Sequence, residues 1–489
     1  MVGVKTRVAA PIRRASAQFA ILRRVREIRS VPMPIGVLII GSLVRVAIAP
    51  FTSWSSDDAP WFHTSLAGYY GLHLYDRPGF SYPPLWGYVL VDVGMLARVV
   101  GLGPDFFGVM NADFLTVSSV TGDFSTVVTS PAFNVVFKSV LFGFDVATAL
   151  LIYYQVRALT RNGAQANLAL ALWFLNPFVI YESGVHGAAD VLVGFSILAS
   201  LFLVLNDRGY FAGMAWVLGI ATKLVPIIIA PQLLLALQDD RISPGSAALT
   251  ARRFGIFALG AAIGGILVVT PEILFGTFQN MFHNVFARTQ ESVIIGGFSL
   301  SGVRYLRPMS WLLAWAFQNS EVVIRASTIA QACAALAWVG WTAYAIRIDR
   351  EFALLAGSAG AVATFNLLAP VSNPQYVLWW LPTAIVLIAA TRRGYLQLGF
   401  ISASALVFSL AILGPYAVLS PLATYTHVLQ PSTLAANVVI WYTSPGTLWG
   451  ATKADDFFAP AWLIVVVAVV SLLIIWLRIP SRNAPAGGS

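Results

Sequence analysis

The sequence predicts an all-α, polytopic membrane protein, and three observations carry that expectation. Of its 489 residues, 58% are hydrophobic and 10% charged, with a mean hydropathy of +0.77. That leaves too little polar side chain to cover a soluble globule of this size. Apolar runs recur from Pro34 to Leu477, each about 17–25 residues long and so able to cross a ~30 Å hydrocarbon core. The basic residues behind the net charge of +9 fall in short clusters between these runs. Such clusters are topology signals rather than an aromatic-interleaved nucleic-acid face, so no nucleic-acid partner is expected. The single cysteine, Cys333, lies inside an apolar run and excludes an internal disulfide or a cysteine-based metal site.

Taken in order, residues 1–32 form a basic arm in which Arg13, Arg14, Arg23, Arg24, Arg26 and Arg29 place the N-terminus in the cytoplasm. The first apolar run is long and has no small-residue cleavage site after it, so it reads as a retained span. Spans are predicted at 33–51, 134–156, 165–182 and 190–206. A pair of about 14 residues each, 209–222 and 224–237, is too short for full crossings. Further spans follow at 254–271, 323–346, 351–369, 376–390, 395–413 and 460–477, giving about twelve in a domain over 33–478. Arg157, Arg161, Arg208, Arg252, Arg253, Arg347, Arg350, Arg392, Arg393 and Arg478 mark cytoplasmic ends. The large outer segments are then 52–133, 272–322 and 414–459, where the chemistry is expected, and all five histidines, His63, His73, His186, His283 and His427, fall on the outer side; 479–489 is a mobile tail.

Directly after the first span comes Ser55-Ser56-Asp57-Asp58-Ala59-Pro60-Trp61-Phe62. Adjacent acids at an outer interface can supply a general base; equally, they can cap a helix beginning near Pro60. The run from Tyr75 to Tyr88, rich in aromatics and proline, reads as an interfacial platform or as a lipid-anchoring aromatic belt. Arg45, Lys138, Asp145, Asp190, Lys223 and Arg325 interrupt apolar runs, where an ionisable residue is costly and faces a cavity or a partner. Lys138 and Asp145, two helical turns apart, fit either a site or glue between spans. Lys223, in the turn of the short pair, sits at the depth of a carrier lipid's phosphate unless it merely snorkels. Asn176-Pro177 frees a backbone carbonyl that something must satisfy.

The order of these motifs resembles that of the class C (GT-C) membrane glycosyltransferases, in particular the polyprenyl- or dolichyl-phosphate-mannose-dependent mannosyltransferases. The likeness rests on Asp58 followed by Tyr82-Pro83-Pro84-Leu85, on Lys138 through Asp145, and on Leu175-Asn176-Pro177 with Ser183-Gly184 and Asp190. It continues through Lys223-Leu224-Val225-Pro226 and Asn373-Pro374-Gln375-Tyr376-Val377-Leu378-Trp379-Trp380. The chain departs from the pattern at 102–133 and 414–459. The resemblance implies a GT-C fold with interfacial helices in the first outer loop, and an inverting transfer of a sugar, mannose first, from a polyprenyl-phosphate carrier to a lipid or glycan acceptor.

It implies Asp58 as the base with Asp57 beside it, and Lys223, Arg288 and Arg304 on the donor phosphate. Trp61, Tyr82, His186, Asp190, Gln375 and Tyr376 line the substrate site. The leaving group is already a phosphate ester, so no general acid is required, and no metal or other cofactor is expected. Membrane lipids surround a monomer, in the plasma membrane if the source is prokaryotic, with the site on the extracytoplasmic face. A transporter or lipid flippase is the rival reading; it would show pseudo-repeated halves, and no internal repeat is evident.

Overall fold

The computed structural model describes residues 35–76, 80–115, 126–238, 246–287, 296–297, 319–443 and 454–478. Each of the twelve apolar runs is mainly helical over its described residues, although not always as a single helix. Among the described residues, five helices are long and apolar enough to cross a membrane by themselves, or six if one bent pair counts as a span, with shorter apolar helices between them. The chain is an all-α, polytopic membrane protein. The twelve-run count exceeds these long helices because proline and bends divide several runs into shorter pieces.

Helix α1 (Ile35–Ile48) leads through a 3₁₀ turn, Ala49–Phe51, into the segment 52–133. There α2 (Ser55–Tyr69) and α3 (Pro84–Val99) pack against each other, and an antiparallel pair of three-residue strands, β1 (Gly108–Met110) and β2 (Val127–Thr129), closes the segment. Ser130 caps the 30-residue α4, Pro131–Thr160. The next run is α5 (Gly163–Phe174) and α6 (Pro177–Ile180), bent by 44°, followed by a wide π-helical turn, Tyr181–His186.

Helix α7 (Asp190–Leu205) precedes the short pair: α8 (Gly209–Ile220), then a 3₁₀ turn Val225–Ile229 running into α9 (Ala230–Leu237). After α10 (Ser246–Leu274) and α11 (Phe278–Ala287) come α12 (Ser320–Ala345) and α13 (Arg350–Leu368). A 3₁₀ segment, Pro374–Trp379, then leads into α14 (Leu381–Thr391), and the chain continues through α15 (Tyr395–Ala417), α16 (Ser420–Thr426), α17 (Pro431–Thr443) and α18 (Ala454–Leu477).

Burial sorts these helices. The apolar window of α13 is 78% buried and that of α12 only 6%, so α13 is central and α12 peripheral among the described residues. Residues Leu381 to Ala389 of α14 are all buried. With lipid as solvent, apolar side chains gain little by leaving it, and close backbone approach becomes the packing force. Gly213 and Gly260 mark such an approach: a Cβ at either would collide with a carbonyl of the facing helix, at Phe257 and Tyr210 respectively.

The break at Asn176-Pro177 has its partner. Pro177 lacks an N–H, and Asn176 Oδ1 takes the Phe178 N–H at 3.0 Å, so Phe174's carbonyl loses its helical donor. Arg45 supplies one at 2.9 Å, while its Nε donates to Asp145 Oδ2 at 2.9 Å and Ser183 Oγ at 3.1 Å. Lys138 donates to the carbonyls of Thr52 (2.7 Å) and Val185 (2.8 Å). Both intramembrane cations therefore tie α1, α4 and the π turn together.

Candidate active site

The site forms where α2, the π turn, the start of α7 and the Pro374–Trp379 segment meet. The π turn widens the helix and ends at Gly187, whose φ of +78° lets the chain reverse into α7. Its residues Glu182 and His186 are both buried. His186 Nε2 lies 2.9 Å from Asp57 Oδ2, and Nδ1 lies 2.6 Å from Glu182 Oε2. Ser409 of α15 donates to the other Glu182 oxygen at 3.0 Å, and the Trp54 indole stacks on the imidazole with centroids 4.3 Å apart. A chain Ser409–Glu182–His186–Asp57 thus runs from the interior to a carboxylate that keeps 20% of its surface. Both imidazole nitrogens face carboxylate oxygens, an environment that fixes the ring's orientation.

The neighbouring Asp58 is built differently. It is 1% exposed, and its Oδ2 accepts the Trp54 N–H at 2.8 Å, the back-reaching bond of a capped first turn. Its Oδ1 has no hydrogen-bond partner among the described residues and lies against Gly187, 3.2 Å from where a Cβ there would sit. Desolvation raises the Asp58 carboxyl to about 7, against the pull of the Lys138 ammonium and the Trp54 hydrogen bond. The acid next to the site therefore has the raised basicity, and Asp57 has the access.

Four residues beyond His186, Asp190 opens α7 and grips Lys223 through both oxygens, at 2.7 and 2.9 Å. Trp379 Nε1 donates to the same carboxylate. Lys223 Nζ stands 5.5 Å from the ring centres of Tyr82 and Trp379 and 5.0 Å from that of Tyr376, close enough for cation–π attraction. Three contacts assemble this wall. The Leu85 N–H donates to Ala221 O at 2.9 Å, joining the start of α3 to the turn that carries Lys223. Asn366 Nδ2 donates to Tyr376 O at 2.8 Å. Gly194 lets the Leu378 carbonyl press onto α7, where a Cβ would collide with it. Trp61 packs beside Tyr82, with ring centres 5.4 Å apart.

Of the residues expected at the site, Asp57, His186, Asp190, Lys223, Tyr82 and Tyr376 line these two adjoining clusters. Trp61 is buried behind Tyr82, and Gln375 is buried in the 3₁₀ segment. Arg288 and Arg304 lie outside the described residues. Arg325 pairs with Glu321 at 3.6 Å on the exposed surface of α12, and His73 stacks on Phe275.

Sequence reading passed over Glu182, Trp54, Ser409 and the role of Trp379. Glu182 carried a usable signal: an acid in an apolar run, four residues before a histidine. Trp54 and Ser409 carried none.

The comparisons with known proteins give one result. The model of glycosyltransferase family 87 matches residues 124–370, just over half of the chain. No curated protein matches it. The matched stretch holds Glu182, His186, Asp190 and Lys223, and Asp57, Tyr82 and Tyr376 reach the same place from outside it. A polytopic α-helical membrane protein with this match is a membrane-bound enzyme, and the chain belongs to glycosyltransferase family 87.

Proposed function

We propose that this glycosyltransferase takes its sugar, mannose in the first instance, from a polyprenyl-phosphate carrier and passes it to a hydroxyl of a lipid-linked or glycan acceptor on the non-cytoplasmic face, within a GT-C architecture. The observation that carries this reading is the pairing of a histidine-held carboxylate, Asp57, with a cation in an aromatic wall, Lys223, whose holders His186 and Asp190 stand four residues apart on one stretch of chain. A carboxylate accepts a proton and a cation receives a phosphate, and both stand beside rings of the kind that stack on sugars.

The reaction is a single inverting displacement. The acceptor oxygen attacks the anomeric carbon as the bond from that carbon to the phosphate oxygen breaks. The hydroxyl proton passes to the Asp57–Asp58 pair, and the polyprenyl phosphate leaves with the bonding electrons. Asp57 is the member in reach of an acceptor, and geometry takes precedence over basicity in choosing a base. His186, backed by Glu182 and Ser409, aims its carboxylate. Asp58 sets the field behind it and holds the first turn of α2. Lys223, oriented by Asp190, stabilises the charge that develops on the departing phosphate.

The test uses purified protein with labelled polyprenyl-phosphate mannose and a membrane glycolipid extract. Wild type transfers label to a lipid product, and Asp57→Asn lowers the rate about 10²–10⁴-fold with donor binding retained. Absence of transfer from any polyprenyl-phosphate sugar, with transfer from a nucleotide sugar instead, would overturn the donor assignment. Loss of rate in Asp58→Asn alone would exchange the roles of the two acids.

A further inference from the structure

At the end of the bundle opposite the candidate site, a cavity of about 240 Å³ opens between α4, α13, α14 and α18. Its floor is apolar: Phe352, Leu355, Leu387 and Ile475 line it. Arg393 and Arg478 stand at its edge. The two arginines are brought together by the turn after α14, where Arg392 adopts φ +57° and Gly394 φ +96°. A Cβ at Gly394 would sit 2.7 Å from Leu472 of α18, so only glycine lets this turn lie flat on α18, less than two turns before Arg478. Trp476, 1% exposed, also lines the cavity, and its indole N–H has no acceptor among the described residues. A buried donor without a partner is rare enough to need an explanation.

Asp349 is the acid on the same cavity. Its Oδ1 accepts the Phe352 N–H at 3.1 Å as the cap of α13, which ties that carboxylate to the helix end. The next cavity along the same face, sharing Leu159 and Asp349, adds Arg161 and Arg350 along with Glu351. Cations therefore outnumber acids here, over an apolar floor, and Arg478 directly follows the last residue of a membrane-length helix. That is headgroup depth.

We propose that this cavity binds one anionic phospholipid of the adjoining leaflet, its phosphate between Arg393 and Arg478 and the start of an acyl chain over Phe352, Leu355 and Leu387. The Trp476 N–H donates to an ester or phosphate oxygen of that lipid. The site is separate from sugar transfer: it lies at the far ends of α13 and α14, whose other ends carry the Pro374–Trp379 segment. The lipid would hold α13, α14 and α18 together at this end of the bundle.

The experiment uses the full chain purified in a neutral detergent, with phosphatidylglycerol, phosphatidylcholine and glycerol 3-phosphate as probes. Bound lipid is counted by native mass spectrometry, and thermal unfolding is followed in parallel. Phosphatidylglycerol binds and raises the unfolding temperature, phosphatidylcholine binds more weakly, and glycerol 3-phosphate neither binds nor competes. Each arginine near an anionic surface contributes a roughly fivefold factor, so Arg393→Gln with Arg478→Gln weakens phosphatidylglycerol about thirtyfold. Arg393→Lys with Arg478→Lys retains most of the preference. Both side chains are exposed, so the variants fold, and size-exclusion profiles check this. Equal binding of the two phospholipids, or an unchanged preference in the Gln pair, would overturn the proposal. Competition by glycerol 3-phosphate would also overturn it, because the site would then be a soluble-anion site.

Discussion

Asp57 and Asp58 show how one backbone position separates two chemically identical side chains. In the first turn of α2 their side chains leave the helix about 100° apart, so one meets His186 while the other is buried beneath Gly187. The burial of Asp58 has a pH signature. Its folded-state value is about 7, above an ordinary 3.8, so the folded protein keeps a proton there that the unfolded chain gives up. The resulting stabilisation is complete below about 3.8 and is lost as pH rises through about 7. In detergent, the unfolding temperature of wild type should therefore fall relative to that of Asp58→Asn between about pH 4 and pH 7 and run parallel to it above that. Curves parallel throughout would show that Asp58 is not held protonated.

Lys223 and Asp190 allow a sharper residue test. Removing one member of a buried pair strands the other charge and costs about 3–5 kcal/mol, so Lys223→Met is expected to unfold easily. The double variant Lys223→Met with Asp190→Asn should recover much of that stability but none of the donor use. Recovery of activity along with stability would make the pair structural only.

At the scale of elements, the site depends on helices that do not continue. Pro177 and the π turn bend the third run so that Glu182 and His186 face inward, and the 3₁₀ segment Pro374–Trp379 delivers Trp379 to Asp190. Gly194 sets the distance between that segment and α7. A valine there forces the Leu378 carbonyl away, an overpacking of about 1–3 kcal/mol. Gly194→Val should raise the donor KM while the acceptor KM stays near its wild-type value. The reverse pattern would place the Trp379 wall on the acceptor side.

Hydropathy and proline placement made the runs, the short pair and the Lys223 turn legible beforehand. The π turn was not legible, because its extra residue per turn leaves no trace in an apolar pattern. Lys138 and Asp145 share a face as their spacing requires, yet what they bind, the carbonyls after α1 and the Arg45 guanidinium, comes from other helices.

For the molecule as a whole, orientation is the property that the arginine clusters predict and that a labelling experiment decides. In a Cys333→Ser background, Asp105→Cys in the first outer segment should react with an impermeant maleimide in intact cells. Asn206→Cys, at the exposed end of α7, should react only after the membrane is opened. The opposite pattern would put the candidate site on the cytoplasmic face and remove the proposed carrier's leaflet from it.

By itself the sequence determined the solvent of this protein, the places of its apolar runs and the residue types from which a site could be made. These follow from composition and local order, which the chain carries wherever it goes. Tertiary structure alone decided which acid is exposed, that Glu182 and Ser409 stand behind His186, and that Asp190 and Trp379 hold Lys223. Those are meetings between side chains up to 227 residues apart. They depend on crossing points set by glycines and helix breaks, and no window along the chain contains them.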